Sequence, residues 1–300
     1  MRVQAAADSV RRRIGASIFE KVAGPEGPNH RQVIHLAEGG RWFAEGSPIQ
    51  RVHGDSSMFV GGIRALLLQS LHPLAMAGVA AHSGYKGDPW GRLQRTSYFL
   101  AVTTFGRASD AKAATERVKA IHRRVAGAAP DGRPYSASDP RLLTWVHIAE
   151  ADSFLRAHTR FGAEPLDQAG RDEYVADVAR IAIELGVPDP PRTEAELADR
   201  ISQYRAELHG TPEARAAARF LLLTPPLPLI ARAPYGVLAA AATSLLPGWA
   251  RRPLYLPNLP LTERAVVRPA GHAVIRGIRW AISPPSANPR PAQASPSAAR

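Results

Sequence analysis

The sequence predicts an all-α fold, organised as a single helical domain. Apolar residues recur at the 3.6-residue spacing of amphipathic helices along most of the chain, and alternating strand patterns are few. Several of these stretches begin with a capping Asp or Ser, sometimes followed by proline, and end at glycine. The hydrophobic content of 45% and the charged content of 21% are those of an ordinary globular protein.

Composition and periodicity divide the chain into four segments. Residues 1–49 form an N-terminal helical segment, and residues 50–220 form the core. Residues 221–282 form an apolar C-terminal helical segment punctuated by prolines. Residues 283–300 are rich in Pro, Ser and Ala and are predicted to be disordered.

Caps and breakers predict where the individual helices begin and end. The expected helices cover residues 1–23, 55–84, 88–106, about 109–127, 139–162, 168–186 and 193–208. Pro73 falls inside the second of them. We expect a kink there, because proline cannot donate the backbone hydrogen bond that the helix needs.

The charge and cysteine content exclude several functional classes. The formal net charge is +12, but only four of the 38 basic residues are lysine, and the arginines are spread along the chain. No RNA-binding signature or zinc finger accompanies them, so we expect no nucleic-acid partner. The chain has no cysteine, which excludes disulfides, iron–sulfur clusters and thiolate-ligated haem. Any haem or metal must use His, carboxylate, Tyr, Met or Lys ligands.

The sequence predicts a cytoplasmic protein with no obligate protein partner. The N-terminus lacks the continuous apolar stretch of a secretory signal. Residues 65–81 and 233–250 are uncharged, but prolines and polar residues favour buried helices over membrane spans. For the second stretch, peripheral contact with a membrane stays an open alternative.

His122 is the first candidate for chemistry. It shares the spacing i, i+3, i+4, i+7 with Val118, Ile121 and Val125, which places all four on one helix face. A histidine on an apolar face is either a packed core residue or a ligand aimed at something inside. The spacing alone leaves both alternatives open.

A second candidate is the face of the helix that follows Asp88. Arg92, Arg95, Thr96 and Phe99 lie on one side of it at helical spacing. Two guanidiniums and a hydroxyl beside an aromatic ring suit an anionic, partly apolar ligand. A solvated polar face explains the same pattern.

Further histidines suggest a metal site. His72, His122 and His147 could together hold a non-haem iron or zinc ion, although a structural pair with Glu150 explains His147 as well. The chain has no H-E-x-x-H motif, and no Glu is followed by His three positions later, as di-iron bundles require. It also lacks G-x-S-x-G, P-loop and G-x-G-x-x-G motifs.

Taken in order, several segments resemble the catalytic domain shared by rubber oxygenases (latex clearing proteins) and the MpaB oxygenase. The segments are RALLLQSLHPLAMAGVAAHS, DPWGRLQRT, IHRRVAG, YSASDP and DSFL, within roughly residues 50–220. The resemblance implies a globin-like helical core that holds haem b non-covalently. It also implies cleavage of a carbon–carbon double bond in an isoprenoid chain by dioxygen.

The resemblance also implies roles for particular residues. His122 matches the proximal iron ligand of the family, and Arg92 and Thr96 match its haem-pocket arginine and threonine. Arg95 falls where the latex clearing proteins have a lysine that can coordinate the distal side. We therefore assign His122 as the metal ligand, together with Arg92, Thr96 and Phe99 as cofactor-binding residues. Arg92, Arg95 and Thr96 are the candidate catalytic residues.

Two differences from the family affect the expected catalysis and leave the expected haem binding unchanged. Arginine stays protonated in proteins and is a poor iron ligand, so the lysine arrangement does not carry over to Arg95. The rubber oxygenases also have a glutamate upstream, whereas no Glu occurs here between Glu45 and Glu116. A base would have to be Asp55, Asp88, a histidine or water. The leading hypothesis is a haem-b oxygenase acting on an apolar, isoprenoid or lipid-like substrate. The alternatives are a non-catalytic haem or lipid carrier and the non-haem iron enzyme.

Overall fold

A computed structural model describes residues 2–36, 38–84 and 87–283. Within these ranges the helices are joined by loops, and the one sheet is a small antiparallel hairpin, so the predicted all-α fold is confirmed. One core joins residues from Phe43 to Ile275. The tail that the sequence predicts to be disordered lies, from residue 284 onward, outside the described residues.

The elements follow one another along the chain with short connections. The helices are α1 (Arg2–Ala23), α2 (Gly27–Leu36), α3 (Pro48–His53), α4 (Met58–Gln69), α5 (Pro73–His82), α6 (Pro89–Phe105), α7 (Ala108–His122), α8 (Pro140–Phe161), α9 (Gln168–Leu185), α10 (Glu194–Tyr204), α11 (Pro212–Leu223), α12 (Leu229–Ser244), α13 (Gly248–Arg251), α14 (Pro260–Thr262) and α15 (Arg268–Ile282). Strands β1 (Ala126–Ala128) and β2 (Pro134–Ser136) pair between α7 and α8. Short 3₁₀ turns lie at Arg205–Glu207 and Arg252–Leu254, and a π-helical turn lies at Glu263–Val267.

Aspartate caps fix the starts of α6, α8 and α9 where the sequence predicts them. The side chains of Asp88, Asp139 and Asp167 each accept a hydrogen bond from a backbone N–H two or three residues further on. These bonds satisfy donors that the first turn of a helix leaves without a partner. Sequence signals that act locally therefore place these three helices correctly.

The prediction of one kinked helix around Pro73 is wrong, because the chain makes two helices there. Helix α4 ends at Gln69, α5 begins at Pro73, and their axes are bent by 109°. His72 has an extended backbone, as a residue before proline prefers. The backbone N–H of His209 donates to the carbonyl of Leu71 at 2.7 Å, so a distant segment fixes the bend.

Helix α7 also differs from its prediction at both ends. It begins at Ala108 without a side-chain cap, although the sequence predicts Ser109 or Asp110 in that role. Asp110 instead pairs with the guanidinium of Arg107 at 2.7 Å. The helix ends at His122, before the predicted Gly127.

The residues after His122 form the hairpin of β1 and β2. Gly127 lies opposite Tyr135, and a Cβ at Gly127 would fall 2.7 Å from the Tyr135 hydroxyl, so any larger residue would displace that side chain. The Tyr135 hydroxyl lies 3.2 Å from Nε2 of His82, so the hairpin is fastened to the end of α5.

Helices α4 and α8 make the most extensive packing contact of the core. Gly61 permits their close approach, because a Cβ there would fall 2.6 Å from a ring carbon of Phe154. The side chains of Trp145, Ile148 and Leu155 on α8 are fully buried. Their burial supplies most of the favourable free energy of this contact.

A buried ion pair crosses this interface. The guanidinium of Arg64 on α4 is 3% exposed and donates to Asp152 at 2.7 Å and to the hydroxyl of Ser153 at 2.6 Å. Its Nε donates to the carbonyl of Leu245, just after α12, at 3.1 Å. Three segments distant in sequence therefore share one cation.

We expect Arg64→Met to lower the free energy of unfolding by roughly 3–5 kcal/mol, because it leaves a buried carboxylate without its main partner. Urea denaturation measures the change. The control is Arg133→Met, which removes an exposed ion pair with Asp131 and should change the free energy of unfolding far less. Equal losses in the two variants would contradict a central role for Arg64.

Candidate functional site

The residues with clearly shifted pKa values include several on the neighbouring helices α3, α7, α8 and α9. Helix α6 packs on α7, α8 packs on α9, and α7 packs on α9, while α3 contacts α6, α8 and α9. Helices α6 and α8, both fully described, make no substantial contact with each other.

His122 ends α7 as a half-buried residue. Its Nδ1 is buried without a hydrogen-bond partner. Burial lowers the pKa of His122, so its imidazole is neutral at physiological pH. The predicted apolar stripe is wrong in one member, because Ile121 is 54% exposed, whereas Val118 and Val125 are half-buried.

Of the four candidate residues on α6, two are half-buried and two are exposed. Arg92 is half-buried and donates to the hydroxyl of Ser83 at 2.7 Å, and the half-buried Phe99 packs against the core. Arg95 is exposed and pairs with Asp88 at 3.2 Å, and Thr96 is exposed as well. The shared helix face predicted from the spacing thus runs from the protein interior out to the surface.

His147 and Glu150 lie one helical turn apart on α8. Nε2 of His147 is buried without a partner, and burial lowers the pKa of this histidine to about 4. Burial raises the pKa of Glu150 to about 7, so this carboxyl exchanges a proton near neutral pH. No hydrogen bond joins the two side chains, so the alternative of a His147–Glu150 structural pair is not realised.

A chain of contacts leads from α9 through α3 to α6. The hydroxyl of Tyr174 on α9 lies 3.4 Å from Nε2 of His53, and Nδ1 of His53 lies 2.8 Å from the hydroxyl of Thr104. Burial lowers the pKa of His53 to about 3. Burial, together with Glu150, Asp152 and Asp177, raises the pKa of the Tyr174 hydroxyl.

Asp177 adds a second carboxyl with a raised pKa to this region. Its side chain accepts a hydrogen bond from the backbone N–H of Ile49 at 3.3 Å. Burial is the main cause that raises its pKa to about 6, against the effect of that hydrogen bond. Several strongly shifted groups on neighbouring helices are typical of a functional site.

Sequence reasoning missed Glu150, His53 and Tyr174 as members of this group. The only available signal was the three-residue spacing of His147 and Glu150, which says that they share a face but not what that face meets. Their shifted pKa values come from burial between α3, α8 and α9, which the sequence order does not reveal.

The three-histidine metal site is not formed. The described ranges contain no group of three or more His, Asp or Glu side chains placed to hold a metal ion. His72 lies instead beside the rings of Trp145 and Tyr204, with Nε2 3.5 Å from Glu207. Burial lowers the pKa of His72 more than Glu207 raises it.

The two aspartates considered as bases already have structural partners. The carboxylate of Asp55 binds the guanidinium of Arg279 at 2.8 Å and accepts the backbone N–H of Ser57 at 2.7 Å. These bonds outweigh burial and keep the pKa of Asp55 low. Asp88 is exposed, and its bonds to Gly91 and Arg95 lower its pKa too. Glu150 is therefore better suited to proton transfer than either aspartate.

The profile of one protein family matches residues 50–280. It describes the catalytic domain of the ER-bound oxygenase mpaB/B′ and rubber oxygenase. The chain belongs to this family. The match confirms the resemblance predicted from the sequence and includes α12 and most of α15 as well as residues 50–220. The proteins after which the family is named are oxygenases.

Two mycobacterial proteins are similar to part of the chain. The uncharacterized proteins Rv2237 of Mycobacterium tuberculosis and Mb2261 of Mycobacterium bovis are each 34% identical over 101 residues. That region is 34% of this chain and 39% of each relative, so the match spans about two fifths of the relatives' length. No solved structure matches the chain significantly.

The length and hydropathy of a helix determine whether it could cross a membrane. Among the described residues no single helix is long and apolar enough to cross a bilayer. Two sharply bent helix pairs, α4 with α5 and α12 with the segment through Leu254, satisfy that criterion only when each pair is taken together.

We expect Glu150→Gln to change how stability depends on pH. The pKa of this carboxyl is about 7 in the folded chain and near 4.5 when unfolded, so the folded chain binds more protons between these values. The wild type should therefore lose stability as pH rises from about 4.5 to 7, by on the order of 3 kcal/mol from this group. Urea denaturation of the purified protein across this pH range measures the difference.

The matched control for this experiment is Glu184→Gln, a change of the same size near the far end of α9. It should leave the shape of the pH profile unaltered. Parallel profiles for wild type and Glu150→Gln would show that the Glu150 carboxyl is not desolvated.

Proposed function

We propose that this protein is a haem-b-dependent oxygenase that uses dioxygen on an apolar, isoprenoid or lipid-like substrate. Oxidative cleavage of a carbon–carbon double bond is the reaction that the family suggests. The observation that carries the proposal is the imidazole of His122, which is neutral and has a buried ring nitrogen without a partner. A neutral imidazole is the form that binds iron.

The residues present fit haem b in three respects. His122 provides a neutral nitrogen ligand at the end of α7, and the chain has no cysteine to compete for that role. Phe99 provides an apolar contact on α6. Arg92 and Arg95 provide guanidiniums that suit carboxylates such as haem propionates. When bound, haem iron would supply the activation of dioxygen.

The position of Arg95 suggests that it acts at the edge of the cofactor. Its side chain is exposed and paired with Asp88, and a guanidinium stays protonated, so it does not coordinate iron. Arg92 lies nearer the core beside Ser83. We assign both arginines to binding of the haem propionates. We assign Thr96, which follows Arg95 in the sequence, to a hydroxyl contact with the same cofactor.

Proton transfer is assigned to Glu150. A carboxyl with a pKa of about 7 can accept or release a proton at its Oε atoms near neutral pH. The neutral His147 one turn away adds a hydrogen-bonding group without adding charge. Both residues are half-buried, which limits but does not abolish their contact with solvent.

Replacing His122 with alanine should abolish most haem binding. We expect the wild type, expressed with sufficient haem, to show a Soret band and a b-type pyridine haemochrome. His122→Ala should lose the band or its native shape, because Ala offers no iron ligand. Absorption spectroscopy of the purified proteins measures this.

His82→Ala provides the matched control, since His82 lies at the exposed end of α5, where its Nε2 lies 3.2 Å from the Tyr135 hydroxyl. It should keep the wild-type spectrum. A colourless wild type that does not bind added haemin would refute the proposal.

Oxygen uptake on addition of squalene, with carbonyl products, distinguishes an oxygenase from a haem or lipid carrier, which consumes no oxygen.

If Arg92 and Arg95 bind the propionates, the affinity for haemin should depend on the negative charge of those groups. The wild type should bind haemin at least about tenfold more tightly than haemin dimethyl ester, because a charge-assisted hydrogen bond contributes about 1.5–3 kcal/mol. In Arg92→Gln/Arg95→Gln the two affinities should become similar. Fluorescence quenching titrations of the haem-free protein measure them.

Arg123→Gln/Arg124→Gln is the control for lost charge alone, since both arginines are exposed directly after His122. It should preserve the preference for haemin over the ester. If the α6 double variant keeps that preference too, the propionates bind elsewhere.

A further inference from the structure

The connection between α11 and α12 exposes an unusual amount of apolar surface. Leu223 is 74% exposed, Leu229 80% and Ile230 90%, and three prolines lie between them in the sequence. We call residues 223–230 the apolar tip. Large aliphatic side chains exposed together in this way mark an interaction surface.

The apolar tip is held in place by hydrogen bonds behind it. The hydroxyl of Tyr235 on α12 donates to the carbonyl of Leu221 on α11 at 2.7 Å. The side chain of Arg232 donates to the carbonyl of Leu227 at 3.2 Å. The first bond joins α11 to α12 and the second joins the connection to α12, so the exposed apolar side chains project from a defined structure.

Cations without nearby acids surround the apolar tip. Arg219 and Arg232 are exposed on either side of it, and no Asp or Glu occurs between Glu213 and Glu263. Helices α4, α5 and α15 pack against α11 or α12 and contain no acidic residue either. Glu263 is bound to the buried guanidinium of Arg251 at 2.6 Å.

We propose that the apolar tip inserts into the surface of a bilayer that contains anionic phospholipids. Aliphatic side chains enter the boundary between headgroups and acyl chains, while flanking arginines bind lipid phosphates. A second copy of this chain fits less well, because pairing two tips would bring their arginines together. The proposal is independent of the haem-based function.

The absence of cysteine allows a direct test of insertion. We expect a single bimane label on Ile230→Cys to shift its emission to the blue on vesicles of phosphatidylcholine and phosphatidylglycerol. A label on Leu36→Cys, at a residue of α2 that is 76% exposed, should not shift. Equal shifts, or no shift at Ile230→Cys, would overturn insertion of the tip.

Vesicle sedimentation then separates the apolar from the ionic contribution. Wild type should bind vesicles with phosphatidylglycerol and bind poorly to phosphatidylcholine alone. Leu229→Ser/Ile230→Ser and Arg219→Gln/Arg232→Gln should each weaken binding about tenfold, and added salt should reduce the ionic part. Leu36→Ser/Leu261→Ser, which changes two other exposed leucines, should bind as wild type.

Two results would overturn the proposal. One is equal vesicle binding by the tip variants and the control variant. The other is a dimer, seen by analytical ultracentrifugation, that Leu229→Ser/Ile230→Ser dissociates while the wild type fails to bind vesicles. In that case the apolar tip is an interface between copies of the chain.

Discussion

The fold depends on satisfying one cation in the middle of the core. The guanidinium of Arg64 is removed from water, so each of its donors needs an acceptor, and these come from α8 and from the end of α12. This requirement fixes the rotation of α8 about its axis. The rotation in turn places His147 and Glu150 away from α4, among the groups contributed by α9 and α3.

A single physical effect, desolvation, shifts the pKa values of the candidate residues on α3 and α8. It lowers the pKa of His147 and His53 and raises that of Glu150, so all three shift toward their uncharged forms. Uncharged groups can exchange protons without attracting bulk water, which suits an apolar substrate. The permanent charges of Arg92 and Arg95 lie closer to the surface, where an anionic part of a ligand would lie.

Local signals predicted the fold well, whereas long-range packing limited the prediction of the site. Asp88, Asp139 and Asp167 mark helix starts because a cap needs only residues within one turn. The bend before Pro73 depends on a hydrogen bond from His209, and the end of α7 depends on strand pairing with residues beyond position 133. For the site, His122 was selected from its spacing and the family resemblance, but the desolvation of Glu150 by other helices could not be inferred.

The sequence separation of the Arg64 partners has a consequence for biosynthesis. Asp152 lies 88 positions away and Leu245 lies 181 positions away. The ribosome synthesises the chain from its N-terminus, so α4 and α8 emerge long before Leu245, whose carbonyl accepts a hydrogen bond from Arg64. Until then the nascent chain carries an incompletely paired charge beside uncovered apolar helix faces. During that interval the growing polypeptide is most prone to aggregate and most in need of chaperones.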